Sequence, residues 1–437
     1  MTENIPSDPA WLTVAQAAQM IAARRLSSLE LIDALLARIA RREPQVAAWA
    51  HLDPELARSA ARGCDAAAPA GPLHGVPFGI KDVIATADQP TQCNSPIYAG
   101  HRPTADAACV TRLRDTGAVI MGKTVTTEFA YVRPGPTRNP HDLSRTPGGS
   151  SSGSAAAVAD GMVPAALGTQ TGGSTIRPSA FCGIYGYKPG FGRIATRGVK
   201  CLSPSLDTVG LMSRDIADLA LMCSVLSGEG EKRSAVGSSR PRLVLFVPIR
   251  LGQAEPAAID MLEDVARRAE TTCVRRIDSP PVFEDMHDAH RVIMAAEVAR
   301  SFAREWRDHR EHLCPMLAGF IEQGLALDEA ALAAAWGALA RGRRWCMQEI
   351  GADEILLTLP AASEAPVGLQ STGDASFNRV WTLLHASCLN VPVGLGPHGM
   401  PLGVQLIDVR GTDGTVLAAA DWLVRELGLV VPRPATG

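Results

Sequence analysis

Two Gly-Gly-Ser turns lie in the segment 147–178, which reads PGGSSSGSAAAVADGMVPAALGTQTGGSTIRP. Glycines before a serine allow backbone conformations with positive φ, and successive N–H groups in such a turn can point at one oxyanion. Ser150 and Ser174 end the two turns, and the alanine-rich stretch between them predicts a helix. The alternative is a flexible Gly/Ser linker, but linkers do not carry AAAVADGMVPAAL between their glycine clusters. The pattern favours a serine nucleophile beside an oxyanion hole.

A serine hydroxyl attacks a carbonyl group only when another group accepts its proton. None of the ten histidines lies in 147–178, although distance along the chain does not exclude a histidine base. Lys81 is the other candidate, because it interrupts the apolar run VPFGIKDVI and burial in a strand favours its neutral amine. Its alternative role is an ion pair with Asp82, but adjacent strand residues point to opposite faces. We therefore interpret Lys81 as a base.

Five stretches of the chain together resemble the amidase signature family. They are GVPFGIKDVI, GAVIMGKTVTTEFA, PGGSSSGSAAAVADG, GTQTGGSTIRPSAFCGIYGYKP and NVPVGLGPHGMPLGVQLI. The resemblance runs from about residue 11 to about residue 425. In this family the bridging serine and the nucleophile are 24 residues apart, as Ser150 and Ser174 are.

The resemblance implies a role for each matching residue. Ser174 is the expected nucleophile, Lys81 the base, and Ser150, after a cis peptide bond from Gly149, the relay that passes the proton between them. Ser151 is expected to support this network by hydrogen bonding. The expected oxyanion hole consists of the backbone N–H groups of Thr171, Gly172, Gly173 and Ser174.

The implied fold is a single α/β/α domain in which helices flank one large mixed β-sheet. The implied activity is hydrolysis of a carboxylic amide C–N bond through an acyl-enzyme, with esters and carbamates open to the same chemistry. No cofactor and no metal is expected. The implied partner is a small-molecule amide, ester or carbamate.

Two positions depart from the commonest family pattern. Gln170 stands where many members have aspartate, and Arg177 lies three residues after the nucleophile, where many place arginine two residues after it. The version GTQTGGSxIRP resembles malonamidase-like members, in which this arginine can hold a substrate carboxylate. Bracing of the oxyanion loop through backbone carbonyls is the alternative role of Arg177. Phe129 and Tyr131 are candidate pocket residues, with plain core packing as their alternative.

Other motifs in the chain predict different chemistry. The run 117–124 satisfies the P-loop pattern, but its four intervening residues, AVIM, read as a strand. Ser151 is also the centre of a G-x-S-x-G elbow, yet a proline-broken loop precedes it where that elbow needs a strand. Glu284, His287 and His290, and the pair His309 and His312, have metal-binding spacings, but a solvated polar helix face is the favoured interpretation. Membership of an amidotransferase complex is a further alternative.

The domain prediction is one amidase domain over 1–437. It comprises N-terminal helices in 11–60, the signature core in 71–221, and the rest of the core in 242–425, with a variable helical substrate-side region in 250–350. Ser27 and Glu30 form a capping-box pattern at the start of one N-terminal helix. We interpret the polar stretch 226–241 as a surface loop. Predicted strands include Val76–Ile84, Ala118–Met121, Arg242–Val247, Ile355–Leu359 and Val404–Val409, and predicted helices include 255–271, 284–308 and 328–350.

Composition limits the possible function classes. The net charge of −3 gives no electrostatic case for nucleic acid or an anionic membrane surface. No stretch approaches the apolar length of a spanning helix, and the N-terminus has no signal-peptide pattern. Ten scattered cysteines suit a reducing cytoplasm. A homo-oligomer is compatible with the sequence but not indicated by it.

Overall fold

The computed structural model describes residues 6–228, 240–270 and 272–435. They form one eleven-stranded mixed sheet in the order β1-β3-β2-β4-β6-β5-β10-β11-β9-β7-β8, flanked by helices, which confirms the predicted fold class. The strands are β1 Trp49–Leu52, β2 Pro77–Lys81, β3 Val119–Thr124, β4 Ala165–Gln170, β5 Tyr185–Lys188, β6 Thr208–Ser213, β7 Arg242–Val247, β8 Cys273–Asp278, β9 Glu354–Thr358, β10 Ser387–Leu395 and β11 Pro401–Asp408.

Fourteen α-helices pack around this sheet within the described ranges. They are α1 Val14–Ala22, α2 Ser28–Val46, α3 Pro54–Ala66, α4 Ala108–Asp115, α5 Ser152–Ala159, α6 Ile176–Phe181, α7 Ile216–Ser227, α8 Pro256–Arg268, α9 Val282–Ser301, α10 Ala303–Asp308, α11 Pro315–Leu325, α12 Glu329–Glu349, α13 Ser376–Leu383 and α14 Asp413–Leu427. No helix among the described residues is both long and apolar enough to cross a lipid bilayer.

The predicted capping box of the second helix is confirmed. Ser27 Oγ accepts from the Glu30 N–H at 3.1 Å, and Glu30 Oε2 accepts from the Ser27 N–H at 2.8 Å. These contacts satisfy two N–H groups that an α-helix leaves without partners at its start. The N-terminal region is not purely helical, however, because β1 pairs antiparallel with β3 at the edge of the sheet.

Three neighbouring strands position the residues predicted to do chemistry. Strand β2 is buried along its whole length and runs parallel to both β3 and β4. Phe78 pairs with Ala165 and Ile80 with Leu167, so the carboxyl ends of β2 and β4 meet at one edge of the sheet. Lys81 ends β2, and the second Gly-Gly-Ser turn follows β4. The topology therefore brings the lysine and that turn together.

A pair of strand glycines lets the two serine turns approach the sheet. Gly168 on β4 pairs with Gly210 on β6. A Cβ atom added at Gly168 would lie 2.7 Å from Ser151 Oγ, and one at Gly210 would overlap Thr175 Oγ1. Glycine inside a strand commonly marks such a close approach of backbone or side chain. Helix α5, built of alanine, serine, glycine and one valine, is buried throughout and packs on β2 and β4.

The P-loop alternative does not agree with the structure. Residues 119–124 form the buried strand β3, and Lys123 is fully buried. Its Nζ donates to the carbonyl of Ile84 at 2.8 Å and to Thr91 Oγ1 at 2.5 Å. An amine with these internal partners is not available to a nucleotide phosphate. Most of the predicted loop 226–241 lies outside the described residues; within it, α7 ends at Ser227 and Gly228 adopts a positive φ of 77°.

Candidate active site

Lys81 is fully buried at the end of β2 and contacts two hydroxyl groups. Its Nζ lies 2.7 Å from Ser150 Oγ and 2.7 Å from Thr169 Oγ1. Within the described part of the chain, no carboxylate forms an ion pair with Lys81. Asp82 instead faces Lys123, whose Nζ lies 3.5 Å from Asp82 Oδ1. The alternation of side chains along the strand thus separates Lys81 from its sequence neighbour.

Burial lowers the pKa of Lys81 well below its ordinary value of 10.5. The charge of Asp207 and the thiol of Cys93 act in the opposite direction but are smaller influences. Burial also raises the pKa of Cys93 to about 12, so that thiol stays neutral beside the lysine. Desolvation penalises the ammonium form of a buried lysine. The site therefore favours the neutral amine that a base requires.

The first Gly-Gly-Ser turn contains the expected cis peptide bond between Gly149 and Ser150. Ser151 ties this turn to the end of β4: its Oγ donates to the Thr169 carbonyl and accepts from the Thr169 N–H, each at 3.2 Å. The Ser151 N–H donates to the carbonyl oxygen of Ser174 at 3.2 Å. Ser151 therefore joins the two serine turns, and it does so from a fully buried position.

The second turn, from Thr171 to Ser174, has its carbonyl groups held by distant residues. The Thr171 carbonyl accepts from His290 Nε2 at 2.8 Å, and the Gly172 carbonyl accepts from Thr382 Oγ1 at 2.7 Å. In a trans peptide unit the C=O and the following N–H point in opposite directions. The N–H groups of Gly172 and Gly173 therefore point away from His290 and Thr382.

These N–H groups are left without backbone partners. Among the backbone hydrogen bonds of the described turns and loops, none is donated by the N–H groups of Thr171, Gly172, Gly173 or Ser174. The Gly173 carbonyl accepts from the Arg177 N–H at 3.0 Å. The Ser174 N–H, in the same peptide unit, therefore points away from Arg177 N. Successive N–H groups without backbone partners in a partly buried turn are suited to stabilising an oxyanion.

Gln170 explains one departure from the family pattern. Its Oε1 accepts from the N–H groups of Thr175 and Ile176 at 2.9 and 3.1 Å, at the start of α6. Its Nε2 donates to Thr382 Oγ1 at 3.0 Å. A carboxylate could accept the first two bonds but could not donate the third. The amide is therefore matched to this version of the loop.

Ser174 is close to these groups but is not bound to them through its side chain. The residue is 9% exposed, and its Oγ has no hydrogen-bond partner among the described residues. The contact between the two turns runs through its carbonyl oxygen, which Ser151 donates to. The structure thus shows the Lys81–Ser150 contact directly and leaves the Ser174 hydroxyl unengaged.

Arg177 is 5% exposed and lies behind the first turn. Its Nη2 donates to the Gly149 carbonyl at 2.7 Å and to Thr372 Oγ1 at 3.1 Å. Burial lowers its pKa to about 10. These contacts match the bracing alternative considered for this arginine, since the carbonyl that it holds belongs to the peptide before Ser150.

The two aromatic candidates occupy different places. Phe129 is fully buried and packs edge to face against Phe302, with ring centroids 5.1 Å apart. Tyr131 is half-buried and stacks on Phe320 at 4.9 Å. Phe129 therefore lies in the core, whereas Tyr131 packs against α11, which carries Phe320.

The solvated-face interpretation is wrong for His290, whereas Glu284 and His312 are exposed as it predicts. His290 is 1% exposed, and burial lowers its pKa to about 3, so the neutral ring donates to the Thr171 carbonyl of the second turn. His287 is half-buried, with its Nε2 3.0 Å from Arg379 Nη1. Glu284 pairs with Arg250 at 2.7 Å. In the part of the chain that the structure describes, no group of three or more histidine, cysteine or acidic residues could hold a metal ion.

Several residues contact the second turn although the sequence did not predict that they would. Asp207 Oδ1 accepts from Thr171 Oγ1 at 2.6 Å, and His290 and Thr382 orient the same turn. These contacts span 36 to 210 positions along the chain. Only Thr169 lay inside a recognised motif. His290 and Thr382 reach the turn because α9 and α13 pack over it, and Asp207 reaches it from the segment just before β6.

The comparisons with known proteins agree with this architecture. The family model described as Amidase matches residues 30–249. The A subunit of glutamyl-tRNA(Gln) amidotransferase from Anaeromyxobacter sp. (strain K) is 33% identical, with 97% of each chain covered. The corresponding protein from Roseiflexus castenholzii is 50% identical over 226 residues, which are 50% of this chain and about half (46%) of that relative. The crystal structure of peptide amidase from Stenotrophomonas maltophilia is similar with a TM-score of 0.79 and 25% identity, covering 98% of this chain and 99% of that one.

The likeness extends over the whole described architecture as well as the two serine turns. A mixed sheet flanked by helices, a matching family model over half of the chain and a full-length relative all point the same way. The chain belongs to the amidase signature family.

Proposed function

We propose that this protein hydrolyses the C–N bond of a carboxylic amide through an acyl-enzyme on Ser174. The observation that supports this most strongly is the 2.7 Å contact between the buried Lys81 amine and Ser150 Oγ, at the edge of the sheet where the second serine turn begins. A buried amine without a carboxylate partner is suited to accept protons.

In the proposed mechanism, Ser174 Oγ attacks the substrate carbonyl while its proton passes to Ser150, whose own proton passes to Lys81 Nζ. The N–H groups of Thr171, Gly172, Gly173 and Ser174 stabilise the oxyanion that forms. The proton then returns through Ser150 to the leaving nitrogen as the C–N bond breaks. Water hydrolyses the acyl-enzyme by the same relay and regenerates the Ser174 hydroxyl. Esters and carbamates can enter the same sequence.

Within this proposal Arg177 is a positioning residue. Its donation to the Gly149 carbonyl at 2.7 Å holds the peptide that precedes the relay serine. Its near-complete burial leaves little of the guanidinium for a substrate. Recognition of the substrate therefore belongs to other groups.

A second candidate function is that of one component of an amidotransferase complex. The full-length similarity to the A subunit of glutamyl-tRNA(Gln) amidotransferase supports it. In that case the chain would hydrolyse an amide only together with other subunits.

The isolated chain is expected to hydrolyse members of a panel of amides, ureas, carbamates and esters. Ammonia or alcohol release is measured for each, with glutamine included and with the Ser174→Ala protein as the blank. Turnover that depends on Ser174 in the absence of any partner supports the hydrolase. Activity that appears only after partner subunits are added supports the second candidate. A panel that is hydrolysed equally well by Ser174→Ala contradicts both.

A further inference from the structure

A second arginine lies beside the oxyanion turn, and the mechanism above does not use it. Arg379 is on α13, and a Cβ atom built on Gly172 would lie 3.8 Å from its Cγ. The aliphatic part of the Arg379 side chain therefore packs over the turn, and its guanidinium extends past the turn. There, Nη1 lies 3.0 Å from Nε2 of His287 on α9. A neutral imidazole nitrogen can accept this bond, but it does not neutralise the guanidinium.

Arg379 has no carboxylate partner in the described ranges. The charge of Asp374 favours the charged form of Arg379, but Asp374 Oδ1 already accepts from the N–H and the hydroxyl of Ser376 at 3.0 and 2.6 Å. Burial is the main effect on the pKa of Arg379 and lowers it. Asp288, beside His287, has a largely exposed side chain, so solvent screens its charge. A half-buried guanidinium without an ion-pair partner is costly, and a bound anion would offset that cost.

A further arginine adds to the positive potential at this place. Arg291 lies on α9 one turn beyond His287, and within the described residues it forms no ion pair. Because Arg379 contacts His287, both arginines lie at the same turn of α9. A cavity of about 230 Å³ adjoins it, lined by Arg291 and by Phe320, the ring on which Tyr131 stacks. Among the described residues, Asp288 alone adds an acidic group to the cavity wall.

We propose that Arg379, assisted by Arg291, binds a carboxylate carried by the amide substrate. This inference rests on the proposed amide hydrolysis at Ser174. A guanidinium presents paired donors that match the two oxygens of a carboxylate. Because the Arg379 stem contacts the oxyanion turn, the carboxylate lies a short distance from the carbonyl that is attacked. The substrate class is therefore a small aliphatic amide with a free carboxylate near its acyl end.

The test compares carboxylate amides with neutral amides of the same shape. Malonamate, succinamate and glutaramate are paired with the amides in which a methyl ketone replaces the carboxylate, and ammonia release gives kcat and KM. Arg379→Gln is expected to raise KM about ten- to a hundredfold for the carboxylate amides and to leave the neutral amides unchanged, since charge-assisted hydrogen bonds contribute on that scale. Arg304→Gln, at an exposed arginine on α10, is the matched control and should alter neither series.

Binding provides a readout that does not depend on turnover. Titration of succinamate into Ser174→Ala should show binding that is lost when Arg379→Gln is added. If the glutamine variant does not fold, Arg379→Lys tests the carboxylate site instead. Lysine keeps the positive charge but lacks the paired N–H donors of the guanidinium, so this variant should raise KM for carboxylate amides alone. Equal losses on both series, or no loss on either, overturn the carboxylate site while leaving amide hydrolysis intact. Absence of hydrolysis by the wild type, with Arg379-dependent binding retained, overturns the proposed function instead.

Discussion

Replacing Ser174 or Lys81 by alanine is expected to lower kcat by at least about 10³-fold, and replacing both should cost no more than the larger single loss. The reason is that the two residues act in one proton-transfer unit with Ser150, so removal of either one already eliminates the activated nucleophile. The measurement is steady-state hydrolysis of the best substrate of the panel by the two single variants and the double variant.

Ser59→Ala is the matched control, because Ser59 is an exposed serine on α3 and outside the site. Its kcat should equal that of the unchanged protein. Multiplicative losses in the double variant would mean that Ser174 and Lys81 act independently, against the relay. Near-normal turnover by Ser174→Ala would remove it as the nucleophile.

The rate is expected to rise with pH along a limb that lies well below the ordinary lysine pKa. Burial lowers the pKa of Lys81, so its folded-state value is below that of free lysine and the active, neutral form increases as pH rises through the lowered value. Above that value the rate should be level. The limb belongs to the Lys81–Ser150 network as a whole, since coupled groups titrate together. A pH series of kcat/KM measures it.

Lys81→Arg provides the control for this assignment. Arginine does not deprotonate in this range, so the limb should disappear together with the activity. Residual turnover by Lys81→Arg with the same limb would assign the titration to another group. Asp207 is the group to examine in that case, because burial raises its pKa and it bonds to Thr171.

Local patterns predicted five of the eleven strands, namely β2, β3, β7, β9 and β11. The apolar runs around Lys81 and around 118–121 became β2 and β3, and Arg242–Val247 became β7 with the same bounds. Continuous apolar residues indicate a short buried strand, whatever its neighbours in space. The edge strand β8, which reads CVRRID, was missed because its exposed arginines do not carry that signal.

The environment of the serine turns could not be predicted in the same way. The contact between His290 and the Thr171 carbonyl joins residues 119 positions apart, and the contact of Thr382 with Gly172 spans 210. Helical periodicity placed the α9 histidines on a polar face, but polarity does not tell whether a face meets solvent or another polar loop. Arg379 gave no signal at all, since its position beside Gly172 depends on how α13 packs.

The sequence motif identified Arg177 but did not determine which way its side chain points. The spacing placed it three residues after Ser174, and either a substrate carboxylate or a backbone carbonyl suited a guanidinium there. Because α6 lies under the first turn, the side chain meets Gly149 instead of open space. Only the packing of that short helix distinguishes the two directions.

Labelling by a fluorophosphonate tests the central claim most directly. An activated serine displaces the fluoride and retains the phosphonyl group, so intact mass followed by peptide mapping identifies the nucleophile. We predict one adduct per chain, located on Ser174, and loss of that adduct in both Ser174→Ala and Lys81→Ala. An adduct on Ser150, Ser151 or any other residue, or full amide hydrolysis by a protein that remains unlabelled, would contradict the account.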